Sequence, residues 1–295
     1  MTASENLRIS QSLTRAHRIV RNNRLLAIGL VLMFATILPI VFAPVVSPYD
    51  PGEMDLQNAN HPPSIDHPMG TDNFGRDVFA RVLYGGRVSL MISVSGVLMA
   101  FTIGASMGVT AGYFGGRLDE LLMRIIDALM VFPSFVLALM LAPALGGGLV
   151  SVVVAIGLVF SPNFARISRG STLTVKEEAF IDAAKCLGFS DRRIMRSDIF
   201  PNILTPVMVQ GTILAGYAII VEAGLSFLGL GVAKDDASLG LILAAGREFI
   251  TNAPWIIVMT GLYMTVMILS FNLIGDGLRD TLDPSLEQEV GEAKE

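Results

Sequence analysis

Glu222 is a carboxylate set deep in an apolar run, AIIVEAGLSF. An unpaired charge at the centre of a bilayer costs at least about 2.5 kcal/mol, so such a residue faces protein or water rather than lipid. Two readings stay open for it. One is a gate or pathway residue, with Gly224, Ser226, Phe227 and Gly229 of the same stretch as companions. The other is a structural pair, with Arg247 or with a partner subunit, or a protonated acid. A second candidate is His61, Asp66 and His67, since imidazole with carboxylate can bind Ni²⁺ or Zn²⁺. They sit in irregular, proline-rich chain, and ordinary turn residues are the stronger reading, so no metal site is assigned.

Chemistry that would power a pump is missing. A phosphate-binding loop ends in Gly-Lys-Ser/Thr so that lysine and hydroxyl reach phosphate and magnesium, and the sequence has no Gly-Lys pair. The run AGYFGGR is glycine-rich but reads as a turn. No HExxH zinc motif occurs, and no nucleophile–base pair stands out for an intramembrane enzyme. Catalytic residues are therefore assigned to none of the chain. Any ATP hydrolysis must come from another polypeptide.

The elements that would position Glu222 are membrane helices. Of the 295 residues 52% are hydrophobic and 16% charged, against about 25% charged in soluble domains, and the mean hydropathy is +0.61. The net charge of −5 is concentrated in the acidic tail and suggests no nucleic-acid partner. Cys186 is the only cysteine, so no intrachain disulfide can form.

Apolar runs predict six spans, each long enough at about 1.5 Å per residue to cross about 30 Å of hydrocarbon. Residues 1–23 form a basic N-terminal segment, read as a short surface helix or a disordered tail. The first span is 24–46, bent by Pro39. Residues 47–85 make an external loop, with a short interfacial helix from Asp77 to Tyr84. A core of five helices follows over 86–280, and 281–295 is an acidic tail. Within the core, Ser89 to Tyr113 carries small residues, among them Ser93, Gly96, Gly104 and Gly108, that allow close helix approach in lipid. The third span is one helix from Leu118 to about Leu141, in which Asp119 and Glu120 suit the N-terminal dipole and Asp127 snorkels. Leu149 to Phe164, Ile203 to Leu230 and Trp255 to Leu273 complete the set. Leu239 to Ala245, between the last two, is apolar enough to dip back into the membrane.

Lys and Arg in the flanks place both termini and the polar loop 166–202 in the cytoplasm. That loop is long for a connection between spans, and it reads as two short helices hinged at Gly188. Phe180, Ala183, Ala184 and Leu187 fall on one face at i, i+3, i+4, i+7, with small residues at its centre that a partner groove could approach. Gly188 suits a left-handed C′ position. Ser190 would cap the second helix and Pro201 would end it.

The run IDAAKCLGFSDRRIMRSDIFPNI resembles the Glu-Ala-Ala-x3-Gly-x9-Ile-x-Leu-Pro loop of ABC importer permeases. Asp182 stands where the family has Glu, whereas Ala183, Ala184 and Gly188 match. MGTDNFGRDVFARVLYGGRVSL, AGYFGGRLDELLMRIID, EAGLSFLGLG and FNLIGDGLRDTLDP are similar to the C-type subunit of the dipeptide/oligopeptide/nickel permease family. Many relatives carry Trp where Leu239 stands. The resemblance implies a type I importer fold in the bacterial inner membrane and a heterodimer with a second permease subunit. It also implies two cytoplasmic ATPases, which hold the ATP and Mg²⁺, and an external substrate-binding protein. Phe180, Asp182, Ala183, Ala184, Leu187, Gly188 and Ser190 would then form the ATPase-coupling surface, and this chain would bind no cofactor. The competing reading is a stand-alone secondary carrier or channel, which would ordinarily carry several ionisable residues along its spans.

Overall fold

A computed structural model describes residues 23–232 and 237–282; the basic N-terminal segment and the acidic tail lie outside these. Among the described residues the chain is all helical, with one isolated bridge between Thr71 and Asp77. Five helices are long and apolar enough to cross a membrane, and a bent pair makes a sixth.

Helix α1 (Arg24–Val41) begins at Asn23, whose side chain accepts the Leu26 N–H. It runs through Pro39 and breaks only at Phe42, before a single turn Ala43–Val46. The irregular segment after it is folded around the buried Thr71. The Thr71 hydroxyl accepts the His61 N–H at 2.8 Å and donates to the Asn58 carbonyl, while the Thr71 carbonyl accepts the indole N–H of Trp255, the chain's only tryptophan. Asp72, also buried, gathers Arg76 at 2.7 Å and the backbone N–H groups of Phe74 and Arg76.

The expected interfacial helix and second span are one helix, α2 (Val78–Phe114), 37 residues long and capped by Asp77. Gly85 and Gly86 lie inside it, at tight contacts with Ser238 and Ile40 that an added side chain would crowd. The small-residue stripe of α2 lies against α5 (Gly148–Lys176). A Cβ on Gly104 would run into the Ser161 carbonyl, and one on Gly108 into that of Ala165.

The third span is not one helix. It is α3 (Gly116–Met130) and α4 (Ser134–Ala144), bent by 90° at the break. Pro133 drives this, since proline disfavours helical geometry in the residue before it and supplies no N–H. Asp127 does not merely snorkel. It meets Arg166 at 2.7 Å, while Asp119 takes a bidentate pair from Arg169, both bonds at 2.6 Å. These pairs fasten the charged face of α3 along α5.

Past α5 come α6 (Ala179–Cys186) and α7 (Phe200–Phe227). Eight-residue α8 (Leu239–Gly246) packs among α2, α7 and α9 (Trp255–Leu282). α9 also packs along α1.

Candidate functional site

The polar stretch 166–202 is mostly a continuation of the spans. α5 carries its polar end to Lys176, so only 177–178 and 187–190 are non-helical around α6. The segment after Ser190 is a helical turn, Asp191–Arg193, then a π turn, Ile194–Ile199, that leads straight into α7. Pro201 therefore does not end a helix. It lacks the N–H of an ordinary α turn, and the wider i→i+5 winding before it accommodates that loss. Ser190 occupies the cap position but makes no capping bond. Its neighbour Asp191 instead accepts the Tyr113 hydroxyl at 2.6 Å, and Lys176 donates to the Tyr113 carbonyl at 2.6 Å, tying α2 to both sides of α6.

Gly188 does what its position suggests. It adopts φ +77, its N–H bonds the Lys185 carbonyl, and the Phe189 N–H bonds that of Ala184, the paired bonds of a Schellman motif. A Cβ there would meet nothing within 4 Å, so only the left-handed backbone is at stake. Gly188→Ala is expected to cost about 1–2 kcal/mol, and Gly188→Asn less. Protease cleavage at 177–190 in inside-out vesicles should quicken more for Ala than for Asn; equal rates would refute the assignment.

The expected single face of α6 is split. Ala184 points inward with Ile181, onto a small core of Val109, Tyr113, Ile194, Ile199 and Ile203. Phe180 and Leu187 point outward, 45% and 72% exposed, and Ala183 and Gly188 are exposed with them. Asp182 is exposed and paired with Lys185 at 3.1 Å. A bulky residue at Ala184 would thus unseat α6 from its own chain, so the outward residues are the cleaner probes of any docking surface.

The second group is not one cluster either. Glu222 is fully buried and has no ion pair with Arg247, whose guanidinium sits 5.7 Å from the Phe227 ring at the surface. Ser226, one turn along, donates to Glu222 Oε1 at 2.7 Å. Oε2 has no hydrogen-bond partner among the described residues. Nearby, α2 meets the start of α8, where a Cβ on Gly85 would lie 3.1 Å from the Ser238 backbone. At that crossing the Ser89 hydroxyl accepts the Leu239 N–H and the Ser238 hydroxyl the Leu241 N–H, both at 3.3 Å. Gly224 faces elsewhere, against the Phe135 ring of α4. Gly229 has φ +76 in a second Schellman turn that closes α7. It lines a cleft of about 480 Å³ with Gly146, Gly147, Gly148 and Gly231. Ser89 was not singled out in the sequence; its hydroxyl meets the Leu239 N–H 150 positions away, which leaves no local signal.

Two further strings resolve into structure. Gly104 to Gly108 reads Gly-Ala-Ser-Met-Gly, the letters of a nucleophile elbow. It lies in mid-helix, and Ser106 spends its proton on the Thr102 and Ile103 carbonyls, so no strand-to-helix turn presents it. His67 binds Asp77 at 2.9 Å and stacks on Tyr49, while His61 turns to the carbonyl of Pro62. These residues line an acidic surface pocket of about 330 Å³.

Residues 100–288, covering α3 to α9 and more, match the family described as binding-protein-dependent transport system inner membrane component. This chain belongs to that family. Residues 12–63 match the N-terminal TM domain of oligopeptide transport permease C. A putative peptide transport system permease protein of Brucella abortus is 44% identical over 274 residues, 93% of this chain and 92% of that one. The dipeptide transport system permease protein DppC of Alkalihalophilus pseudofirmus is 39% identical, with 92% and 90% covered. OppC of Bacillus subtilis, an oligopeptide transport system permease protein, is 38% identical, with 91% and 88% covered. Among solved structures, the inward-facing MetNI methionine ABC transporter superposes with TM-score 0.57 at 19% identity, over 69% of this chain and 97% of that one. That likeness supports the type I permease fold. As a member of this family the chain is an inner-membrane permease subunit of an ATP-driven importer. It is not an enzyme, and separate ATPases and a binding protein complete the system.

Proposed function

We propose that this subunit imports dipeptides or oligopeptides, paired with a second homologous permease subunit in the lipid bilayer. The peptide-permease names of relatives that align along most of its length support that substrate class. In this reading both termini and α6 lie in the cytoplasm, the face favoured by the arginines and lysines of 166–202. The observation that carries the mechanism is α6 itself. It is held outside the spans by its own small core, yet turns Phe180, Ala183 and Leu187 outward, as a helix destined for a partner's groove would. Asp182, Ala184, Gly188 and Ser190 shape and seat that surface.

ATP and Mg²⁺ bind the ATPases, and this chain binds no cofactor. Closure of the ATPases moves α6. The π turn and α7 pass the movement to the spans as rigid-body alternating access. Gly224, Phe227 and Gly229, at the outer end of α7, border the pathway.

The test is reconstitution in liposomes of this chain with its second permease subunit, ATPases and binding protein. Uptake of a labelled dipeptide or oligopeptide should require ATP and every component. Uptake by this chain alone, driven by an ion gradient, would replace the reading with a secondary carrier. ATP-dependent uptake of other solutes with no peptide uptake would keep the permease and discard the substrate.

A further inference from the structure

α6 rests on α2 as well as on its own flanks. Tyr113, in the last turn of α2, is buried, and its ring belongs to the core that Ile181 and Ala184 of α6 sit on. Its hydroxyl donates to Asp191 Oδ1 at 2.6 Å, the length of an O–H bond to a carboxylate. Asp191 opens the helical turn that follows Gly188, so one bond crosses from the segment carrying α6 to a helix 78 positions away. Lys176 closes the other side, donating to the Tyr113 carbonyl at 2.6 Å. Of the long helices that reach this core, α2 is the stiffest. α5 and α7 carry Pro162 and Pro206 within them, and α7 starts from a π turn; prolines and π turns are where helices bend. α2 runs 37 residues with no proline, about 55 Å at about 1.5 Å per residue. Asp77 fastens its far end, accepting the Ala80 N–H at 2.6 Å and binding His67 at 2.9 Å. On the way, close contacts at Gly104 and Gly108 set α2 against α5, and α5 holds α3 through Arg166 and Arg169. A displacement applied at Tyr113 therefore moves α2, α3 and α5 together.

We propose that the Tyr113 hydroxyl, through its bond to Asp191, carries movement of α6 into α2, which makes α2 a second and stiffer route to the spans beside α7. Tyr113 is a positioning residue in this account, acting through α2 rather than touching the transported solute. The proposal rests on the reading of α6 as the docking element. Ring and hydroxyl have separate tasks. The ring helps to seat α6, and the hydroxyl keeps the turn after Gly188 in register with α2. A phenol suits this, since its O–H sits at the end of a rigid ring with only two torsions behind it.

The experiment measures movement of α2 in the full chain, assembled with its second permease subunit and ATPases in lipid nanodiscs. Cys186, the only native cysteine, is replaced by Ser. Spin labels are attached at Leu98→Cys on α2 and Leu262→Cys on α9, both exposed positions. Pulsed EPR records the distance between them without nucleotide and with ATP and vanadate. Nucleotide should shift that distance when Tyr113 and Asp191 are both present. Tyr113→Phe keeps the ring and should lower the ratio of shifted to resting population about fivefold, the factor for one ordinary intramolecular hydrogen bond, while the ATPases stay bound. Asp191→Ala should match it, and Asp191→Asn, which keeps an acceptor oxygen, should have a smaller effect. Combining Tyr113→Phe with Asp191→Ala should go no further than either alone. The proposal is overturned if nucleotide leaves the distance unchanged with both residues present, if Tyr113→Phe does not reduce the shift, or if the two single effects add in the double variant. It is also overturned if the shift is lost only together with ATPase retention, which would make Tyr113 part of the seat of α6 and nothing more. Failure of the docking reading looks different: Phe180→Asp would then keep native ATPase retention, whatever α2 does.

Discussion

Gly104→Val is expected to be among the most destabilising single changes in this chain. The position faces the Ser161 carbonyl and the Phe164 Cβ, the latter at 2.7 Å from a built Cβ. Neither can move aside as a flexible side-chain tip would, because both belong to the backbone or first side-chain carbon of α5. Overpacking typically costs about 1–3 kcal/mol, and a clash with a neighbouring helix's backbone belongs at the upper end. The two helices would have to separate along a contact that also involves Gly96, Gly108 and Gly112, and in lipid such close packing is a principal source of helix association. Ser106→Val is the matched control, since Ser106 is exposed on the opposite side of α2. Thermal aggregation of the detergent-solubilised permease measures both. A midpoint for Gly104→Val within a degree or so of that for Ser106→Val would show that α2 and α5 are not locked through this stripe.

Phe180→Ala is expected to produce a large loss of coupling. Phe180 and Leu187 are exposed apolar residues at opposite ends of α6, and the core beneath them is filled by Ile181 and Ala184, so removing the ring leaves the seat of α6 intact. Buried aromatic anchors in protein interfaces contribute about 2 kcal/mol or more on truncation, a factor of about thirty in affinity. Phe180→Asp should go further, since it sets an unpaired carboxylate inside the contact. Retention of the ATPases on the purified permease as concentration is lowered reads the affinity. Peptide uptake reads the consequence. The protease pattern of 177–190 checks that α6 is still seated. If both variants keep native ATPase retention, α6 is not the docking element. Asp182→Glu gives a smaller test: Lys185 now holds the shorter side chain along the helix at 3.1 Å, and a longer one has the reach to leave it for the partner.

Much of this was legible in the chain because it is decided within a turn or two. Apolar runs located the spans. Gly188 announced its helix end, since only a residue without Cβ takes a left-handed backbone cheaply; Gly229, read inside a span to Leu230, ends its helix in the same way. The small residues of α2 announced a close neighbour without saying which. The absence of a Gly-Lys pair directed energy supply elsewhere. The polar run 166–202 read as a loop between spans, but polarity says only that a segment can meet water, and it does not mark where a helix stops. The structure carries α5 to Lys176 and starts α7 through a π turn.

Tertiary structure decided the rest, wherever the answer depended on a distant neighbour. Ala183 and Ala184 are the same residue type side by side, yet one is exposed and the other rests on Val109 and Tyr113; helical periodicity defines a face but not its direction. The third span read as one helix from Leu118 to about Leu141, and the structure bends it by 90° at Pro133. Arg247 was the cation the sequence offered to Glu222, and the structure turned it toward Phe227. The carboxylate instead accepts from Ser226, one turn along its own helix, while close crossings at Gly85 and Gly240 bring α2 and α8 against that part of α7. Sequence fixes which groups must be satisfied in lipid, and only the crossing of helices decides which groups satisfy them.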